Sequence, residues 1–191
     1  STNYVFDGTA PPYHPSDKPH PLNDYGKSQL AGEKSVIKAS SRHRLLSIPM
    51  LYGPSEHLEE SSVTIIARAF LNTDGPVSLD VRQTRYPAYT PDVAAAILGM
   101  LPGLIDGSLA GPALHFCPAE SFTKRDMGEI MAPFVGANPG RAVPDDRPPS
   151  GAPRPHNVGL ACPYLEELGL LKTTPFREAI SRTIDSIRAS G

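Results

Sequence analysis

Length, composition and charge describe a small globular protein and exclude several classes of function. The 191 residues are 39% hydrophobic and 20% charged, an ordinary balance for one buried core, or for one domain and part of another. A net charge of −2 gives no electrostatic basis for binding nucleic acid or an anionic membrane. No apolar run approaches the roughly 18 residues of a membrane span. The chain shows no leader segment, and its two cysteines, Cys117 and Cys162, lack metal-ligand spacing, so we expect buried thiols in a cytoplasmic protein.

The first half of the chain predicts an alternation of strands and helices. In order, the predicted elements are the end of a buried strand at 1–8, a proline-rich loop at 9–22, a helix capped by Asn23 or Asp24, a strand at 43–52 and a helix at 61–71. The last of these rests on Val63, Ile66 and Phe70, which fall on one helical stripe.

The second half continues the alternation. Its predicted elements are a strand at 77–81, a helix at 91–101, a strand at 114–117, a helix at 121–134, a loop-rich stretch at 136–156 and helices at 163–168 and 175–189. Pro102-Gly103 is expected to end the second of these, and Ser121 to cap the fourth. Buried strands separated by helices favour an α/β fold whose sheet is at least partly parallel.

No glycine-rich dinucleotide-binding turn follows a predicted strand. Four glycines recur at every fourth position from Gly99 to Gly111, but they run through a helix end and a loop. Gly26-Lys27-Ser28 is similar to the end of a phosphate-binding loop, yet Pro21 stands where that loop needs its first glycine. We interpret both patterns as coincidental.

Two segments carry a more specific resemblance. Residues 1–13 and 21–29, which contain Thr2, Tyr25 and Gln29, resemble the catalytic segments of extended short-chain dehydrogenases of the dTDP-4-dehydrorhamnose reductase (RmlD-like) group. Within that group the chain is most similar to the regulatory beta subunits of methionine adenosyltransferase. The stretches that carry this closer resemblance are 48–53, 58–64, 85–87, 92–93, 154–157, 160 and 174–177.

The resemblance implies a chemical role for each matched residue. Tyr25 corresponds to the general acid that protonates a carbonyl oxygen as hydride arrives, and Thr2 to the hydroxyl that hydrogen-bonds that oxygen. The lysine expected one helical turn after the tyrosine binds the nicotinamide ribose, but Gln29 occupies its position. NADP or NAD is the implied cofactor, and Ile48 and Pro49 would line its pocket.

The exchange at Gln29 predicts a chain that is inactive or very slow as a reductase. A unit charge about 4 Å away, at an effective dielectric constant near 20, contributes roughly 4 kcal/mol, or about three pKa units. Gln29 can donate a hydrogen bond to a ribose but supplies no charge. Lys27 lies two residues from Tyr25 and therefore points to nearly the opposite side of the helix. Thr2 and Tyr25 could equally serve as packing residues.

Charged residues elsewhere suggest contacts with a substrate or a partner protein. We select Glu59, Arg82, Arg85 and Arg154 as candidates, with ordinary surface salt bridges as the alternative. The acidic stretch at 56–60 is interpreted as a solvated helix start, because carboxylates favour a helix N-terminus. His115 is interpreted as a core or edge histidine. We therefore predict no metal site.

The leading functional hypothesis is a non-catalytic, regulatory-subunit-like protein that binds the catalytic subunit of methionine adenosyltransferase and modulates S-adenosylmethionine synthesis. The alternatives are an NAD(P)H-dependent reductase of a nucleotide-linked keto sugar, impaired by Gln29, and a truncated product with a fold but no function. The resemblance implies that residues 1–75 are the remnant of the NAD(P)-binding Rossmann half. Residues 76–191 form the substrate-binding cap region, and 91–118 return to the Rossmann sheet. The open edge of such a half sheet predicts self-association, or a partner that covers it.

Overall fold

Parallel strand pairs organise the protein. The computed structural model describes residues 1–109, 111–148 and 150–190. The strands are β1 (Leu45–Ser47), β2 (Leu51–Tyr52), β3 (Val77–Asp80), β4 (Ala88–Tyr89), β5 (Ala113–His115) and β6 (Ala142–Asp145). The pairs are β1 with β5, β2 with β4 and β3 with β6, and each pair is parallel. Parallel pairing with helical crossovers is typical of an α/β fold, which agrees with the sequence prediction.

Six α-helices lie between and after these strands in the part of the chain that the structure describes. They are α1 (Asp24–Ala39), α2 (Ile65–Leu71), α3 (Thr90–Asp106), α4 (Lys124–Met131), α5 (Pro163–Glu167) and α6 (Phe176–Ser190). Short 3₁₀ turns cover Asn3–Val5, Leu58–Glu60, Ala132–Val135 and Pro139–Arg141. Among the described residues, none of the helices combines the length and apolar character needed to span a bilayer.

The chain divides into two compact units. Unit 1 contains Ser1–Pro49, Pro91–Pro118 and Pro149–Lys172, and unit 2 contains Met50–Thr90, Ala119–Pro148 and Thr173–Gly191. The first change of unit along the chain falls after Pro49, within the predicted segment 1–75. Residues 91–118 lie with the N-terminal segment in unit 1 because β5 pairs with β1.

The core of unit 2 forms where α2, α4 and α6 pack around the β3–β6 pair. Met127, Met131 and Ile180 are fully buried there, and Phe176 is 2% exposed. Phe176 contacts Tyr52 edge-on, with 5.4 Å between ring centroids. The sequence prediction that Phe176 anchors the last helix agrees with this packing.

Arg141 joins the end of α2 to the start of β3. Its Nε donates to the carbonyl of Gly75 at 2.9 Å, and its Nη2 donates to the carbonyls of Phe70 and Thr73. The guanidinium also lies 5.7 Å from the centroid of the Phe70 ring. A single side chain therefore satisfies the Phe70 carbonyl in the last turn of α2 and two carbonyls of the loop that follows.

Several predicted boundaries were wrong. α3 continues through Pro102 to Asp106 instead of ending at 101, although Pro102 has no N–H to donate to the carbonyl of Leu98. Thr123 caps α4 instead of Ser121, because the side chains of Thr123 and Asp126 exchange hydrogen bonds with each other's backbone N–H groups. β6 lies within the stretch predicted to be loop.

Two further predictions need correction near strand and helix starts. The predicted strand at 43–52 is interrupted at Pro49, which has no N–H to donate to a ladder. α2 begins at Ile65, four residues later than predicted, because the Ser61 hydroxyl accepts from the N–H groups of Val63 and Thr64 and forms a turn first. Residues 1–8 contribute one bridge at Thr2 followed by the 3₁₀ turn, not an extended strand.

Candidate functional site

The candidate site begins at the carboxyl end of β1 in unit 1. Thr2 pairs with Ile48 in a parallel bridge, where the Asn3 N–H donates to the Ile48 carbonyl and the Ile48 N–H donates to the Ser1 carbonyl, both at 3.2 Å. Ile48 is half-buried and Pro49 is buried. Ligands of open α/β sheets bind outside the carboxyl ends of the parallel strands, which is where these residues lie.

The Thr2 hydroxyl caps the 3₁₀ turn that follows it. Its oxygen accepts from the backbone N–H of Tyr4 at 3.2 Å. A hydroxyl has one proton to donate and two lone pairs. The Thr2 proton is therefore not used by this cap and can be donated to a ligand oxygen.

Tyr25 lies in the first turn of α1, which the Asn23 side chain starts. The Asn23 Oδ1 accepts from the N–H of Gly26 at 2.9 Å, and its Nδ2 donates to the carbonyl of Pro153 at 2.8 Å. Tyr25 is 54% exposed. Gln29, one turn later, is half-buried. Asn23 thus fixes the start of the helix that presents Tyr25 and Gln29.

Tyr4 connects the Thr2 segment to the Tyr25 helix. The rings of Tyr4 and Tyr25 meet edge-on, with centroids 6.1 Å apart. A Cβ placed on Gly26 would lie 2.3 Å from the Tyr4 carbonyl oxygen and 2.8 Å from the Cβ of Pro21. Only glycine permits this approach, so Gly26 sets the distance between Tyr25 and the Thr2 turn.

A network centred on Asp7 orders the proline-rich loop beside this site. The Asp7 carboxylate accepts from the Tyr13 hydroxyl at 2.6 Å, from the Thr9 N–H at 3.0 Å and from the Thr9 hydroxyl at 2.8 Å. His20 Nδ1 lies 3.1 Å from the same carboxylate. The Tyr13 hydrogen bond, followed by those from Thr9, holds the pKa of Asp7 well below its usual range.

The loop closes on the interior of unit 1 through Tyr13. Its ring stacks on Phe6 with centroids 4.3 Å apart, and its carbonyl lies 3.1 Å from the Nδ1 of buried His115. Burial lowers the pKa of His115. Because a carbonyl only accepts, the Nδ1 of His115 carries the proton, which agrees with the prediction of a core histidine.

The two cysteines take no part in chemistry at the site. Both are buried and free, and burial raises the pKa of Cys117 to about 11 and that of Cys162 to about 12. Thiols with such values stay protonated at neutral pH and are poor nucleophiles. Among the described residues, no group of three or more His, Cys, Asp or Glu side chains is arranged to hold a metal ion.

The residues that the resemblance assigns to a dinucleotide lie on two elements of unit 1. Tyr25 is exposed and Gln29 is half-buried one turn later on α1, whereas Ile48 is half-buried and Pro49 is buried just after β1. Gly8 has a positive φ of 83°, and a Cβ at this position would lie 2.8 Å from the backbone N of His156 and from the Cβ of Pro155. This glycine therefore lies against another segment of the same chain. No described strand leads through a glycine-rich turn to a helix, so the described residues provide no cradle for a pyrophosphate.

Of the four residues predicted to bind a substrate or partner, three lie in unit 2 and one lies in unit 1. In unit 2, Glu59 pairs with Arg68 at 2.9 Å and Arg82 pairs with Asp146 at 3.3 Å. Arg85 lies 3.7 Å from Asp80 and donates to the buried Gln83 side chain.

Arg154 lies in unit 1, where it is exposed and follows the Pro153 carbonyl that Asn23 holds. Among the four, only Arg154 directly follows a residue that contacts the start of α1, because Asn23 Nδ2 donates to the carbonyl of Pro153. In the described part of the chain no carboxylate forms an ion pair with it within 4.0 Å.

Sequence reasoning missed Tyr4 and Gly26 as parts of the site. A glycine directly after the candidate tyrosine is unfavourable inside a helix, which is the signal that could have indicated a close backbone approach. No comparable signal marked Tyr4, whose role depends on the fold that brings α1 against the Thr2 turn.

Comparison with known proteins identifies the class. The RmlD substrate-binding domain family matches residues 1–189, so the chain belongs to this family. The crystal structure of dTDP-4-dehydrorhamnose reductase from Bacillus anthracis in complex with NADP superposes with a TM-score of 0.78 at 24% identity, covering 97% of this chain and 62% of that one. The fold is accordingly the Rossmann-like α/β fold of extended short-chain dehydrogenases.

Two curated relatives show which proteins of this family the chain is similar to in sequence. Methionine adenosyltransferase 2 subunit beta of Bos taurus is 39% identical over 186 residues, covering 96% of this chain and 55% of that protein. The dTDP-4-dehydrorhamnose reductase of Mycolicibacterium smegmatis is 29% identical over 191 residues, covering 98% of this chain and 56% of that protein. The chain thus spans about half the length of the curated relatives it matches, and is more similar in sequence to the beta subunit.

The contact between Gly26 and Tyr4 generates a prediction about stability. We expect Gly26→Ala to lower the free energy of unfolding by about 1–3 kcal/mol, because the new methyl group overlaps a backbone carbonyl that cannot rotate away. Urea unfolding followed by circular dichroism measures this change.

Gly32→Ala is the matched control in the same helix. A Cβ at Gly32 has nothing within 4 Å, so this variant should be more stable by about 0.5–1 kcal/mol. Equal effects at the two glycines would show that Gly26 is not a contact point.

The Asp7 network generates a prediction about pH. Because the folded-state pKa of Asp7 is lowered, its contribution to stability is complete above the ordinary aspartate value of about 3.9 and is lost as the pH falls from there through the lowered value. We expect Asp7→Asn to lose stability less steeply than the unmodified protein between about pH 5 and pH 2. Asp24→Asn is the control, since that carboxylate is 98% exposed. Parallel urea-unfolding profiles for the protein and Asp7→Asn would contradict the assignment.

Proposed function

We propose that this protein is a non-catalytic subunit of methionine adenosyltransferase, which binds the catalytic subunit and modulates S-adenosylmethionine synthesis. The observation that carries the proposal is the 39% identity to a beta subunit over 96% of the chain. The glutamine at position 29 supports it, because the lysine that hydride-transfer chemistry in this fold needs is absent from that position. A subunit that binds instead of reducing has no need of that charge.

Within this proposal the site around Tyr25 binds a ligand instead of turning it over. Thr2 donates its hydroxyl proton to a ligand oxygen, Tyr25 and Gln29 hydrogen-bond a ribose, and Ile48 and Pro49 pack on the attached ring. When bound, NADP or NAD would supply a hydride donor or acceptor. The residues of this chain do no more than orient its ribose end.

The partner contacts are proposed from charge and exposure. Arg154 is the first candidate because it is exposed and lacks an ion pair in the described part of the chain. Glu59, Arg82 and Arg85 are further candidates. Each of them already has an ion pair within this chain, so a charged group of the partner would have to replace that ion pair. Unit 1 takes the cofactor-binding role and unit 2 the substrate-binding role, in a cytoplasmic protein. Association through an exposed sheet edge, or a partner that covers that edge, is part of the same proposal.

Binding to the catalytic subunit is the test of this function. The 191-residue chain and the catalytic subunit of the same organism are mixed in an isothermal titration, and S-adenosylmethionine formation is measured with and without the chain. We expect a stable complex and altered kinetics. Arg154→Glu should weaken the complex about tenfold, the effect of one lost charge contact, or about 1.4 kcal/mol.

Arg147→Glu is the control for that charge reversal. Arg147 has an 80% exposed side chain and its ion pair is with Asp145, so its reversal should leave the affinity for the catalytic subunit within about twofold. If the unmodified chain fails to bind the catalytic subunit at micromolar concentrations, the proposed function is wrong.

A reductase of a nucleotide-linked keto sugar is the second candidate. It is favoured by the family match and by the presence of both Thr2 and Tyr25 beside Tyr4. It predicts that Gln29→Lys raises NADPH-dependent turnover of dTDP-4-dehydrorhamnose by about 10²–10⁴-fold, and that adding Tyr25→Phe removes the gain. We expect no such rise. A gain that depends on Tyr25 would favour the reductase.

A further inference from the structure

Two buried asparagines of unit 1 hold one distant segment of the chain, residues 153–158, here called the anchored segment. Asn3 is 5% exposed, and its Nδ2 donates to the carbonyl of Val158 at 3.0 Å. Asn23 is 9% exposed, and its Nδ2 donates to the carbonyl of Pro153 at 2.8 Å. A buried amide without a hydrogen-bond partner is costly, so both side chains depend on the anchored segment for their burial.

Further contacts fix the anchored segment in its middle and just beyond its end. A Cβ at Gly8 would lie 2.8 Å from the Cβ of Pro155, which shows how closely the two backbones approach. The Tyr13 N–H donates to the Gly159 carbonyl at 2.9 Å, and the Ala161 N–H donates to the Tyr13 carbonyl at 2.8 Å. Surface loops are commonly mobile, whereas these contacts hold this one in place.

The anchored segment presents Arg154 and His156 to solvent. Both residues are exposed and Pro155 between them is buried, so the two side chains lie on the side of the segment away from Gly8. Pro155 also favours an extended backbone at Arg154, because the helical region is disfavoured for a residue before a proline. Since no described carboxylate pairs with Arg154, its positive charge is held in one place without being neutralised.

Asn23 uses different atoms for its two contacts. Its Oδ1 accepts from the Gly26 N–H at 2.9 Å and caps α1, while its Nδ2 holds Pro153. A serine caps a helix about as well as an asparagine, but it has no second polar group that could reach Pro153. The cap of α1 and the hold on the anchored segment can therefore be separated by one substitution.

We propose that Asn3 and Asn23 are positioning residues for a protein-binding surface, in which the anchored segment binds a carboxylate of the catalytic subunit through Arg154. This inference rests on the proposed function, which supplies the partner. A segment that is fixed before binding does not have to be ordered during binding, and this strengthens the complex. A guanidinium binds a carboxylate best through two parallel N–H···O bonds, whose geometry depends on where the backbone holds the arginine.

The affinity of the 191-residue chain for the catalytic subunit, measured by isothermal titration, is the first test. We expect Asn23→Ser and Asn3→Ala each to raise the dissociation constant about fivefold, because the segment must then be ordered at binding. The melting temperature of Asn23→Ser should fall by no more than about 4 °C, since the cap of α1 remains. Asn138→Ser is the matched control, because Asn138 caps a turn of unit 2 through its side chain and should leave the affinity unchanged.

A double-mutant cycle with Arg154 separates positioning from a general loss of stability. If Asn23 acts through Arg154, then Asn23→Ser should change the dissociation constant by less than about twofold once Arg154→Ala is present. An equal loss of affinity in both backgrounds would overturn the proposal, because Asn23 would then act on another contact.

Hydrogen exchange of the free chain measures the anchoring without the partner. In the variant that carries both Asn3→Ala and Asn23→Ser, the amides of Gly159 and Ala161 should exchange about fivefold faster, whereas the amides of α1 should keep their rates. Unchanged exchange at Gly159 and Ala161 would overturn the proposal.

The two measurements distinguish a failure of this inference from a failure of the proposed function. Faster exchange together with an unchanged dissociation constant would overturn the positioning role and leave the proposed function in place. If the unmodified chain does not bind the catalytic subunit, the proposed function is wrong, and the partner assigned to this surface is wrong with it.

Discussion

Parallel pairing of short strands is the constraint on which the rest of this structure depends. Parallel neighbours cannot be joined by a tight turn, so the chain must travel away and return before each pair can form. β1 therefore pairs with β5, which comes much later in the chain, and the stretch between them contains β2, β3 and β4. This explains why each compact unit is assembled from three separate segments of the chain. A linear division of the sequence into two halves could not reproduce that arrangement.

The candidate site follows from the same constraint. The carboxyl end of β1 is where Thr2 and Ile48 meet, and α1 reaches this point because Gly26 allows its backbone to rest on the Tyr4 carbonyl. Asn23 then starts the helix and also holds the Pro153 carbonyl. Each of these contacts is between backbone groups or fixed polar groups. None of these contacts uses the side chain at position 29.

The sequence predicted what local patterns determine and missed what distant contacts determine. The alternation of strands and helices, the Asn23 cap and the burial of Phe176 all follow from short-range spacing or composition, and they agree with the structure. The extension of α3 past Pro102 was not predictable from the proline itself, because a proline inside a helix lacks the N–H of the ladder and normally ends or kinks the helix. β6 was missed because Pro144 lies within it, and a proline normally argues against a strand that donates to a ladder.

The site residues show the same difference between what local patterns predict and what distant contacts determine. Thr2, Tyr25 and Gln29 were found by their resemblance to a motif, whereas Tyr4 became visible only when the fold placed it between them. Arg82 and Glu59 were selected as candidate contacts with a substrate or partner, and both form ion pairs with residues that no local sequence pattern places near them. Pairing of surface charges is set by the packing of unit 2, which no local pattern encodes.

Persistence of the Tyr25 geometry does not by itself distinguish a reductase from a binding subunit. Gly26, Asn23 and Tyr4 hold α1 in place by packing and hydrogen bonding, and a protein that only binds a ligand at this position needs the same support. What distinguishes the two is the charge at position 29, since a hydride-transfer site in this fold requires it and a binding site does not. Gln29 keeps the ability to donate a hydrogen bond while removing the charge. We propose that this combination retains binding and gives up turnover, which is the pattern expected of a subunit that acts through its partner.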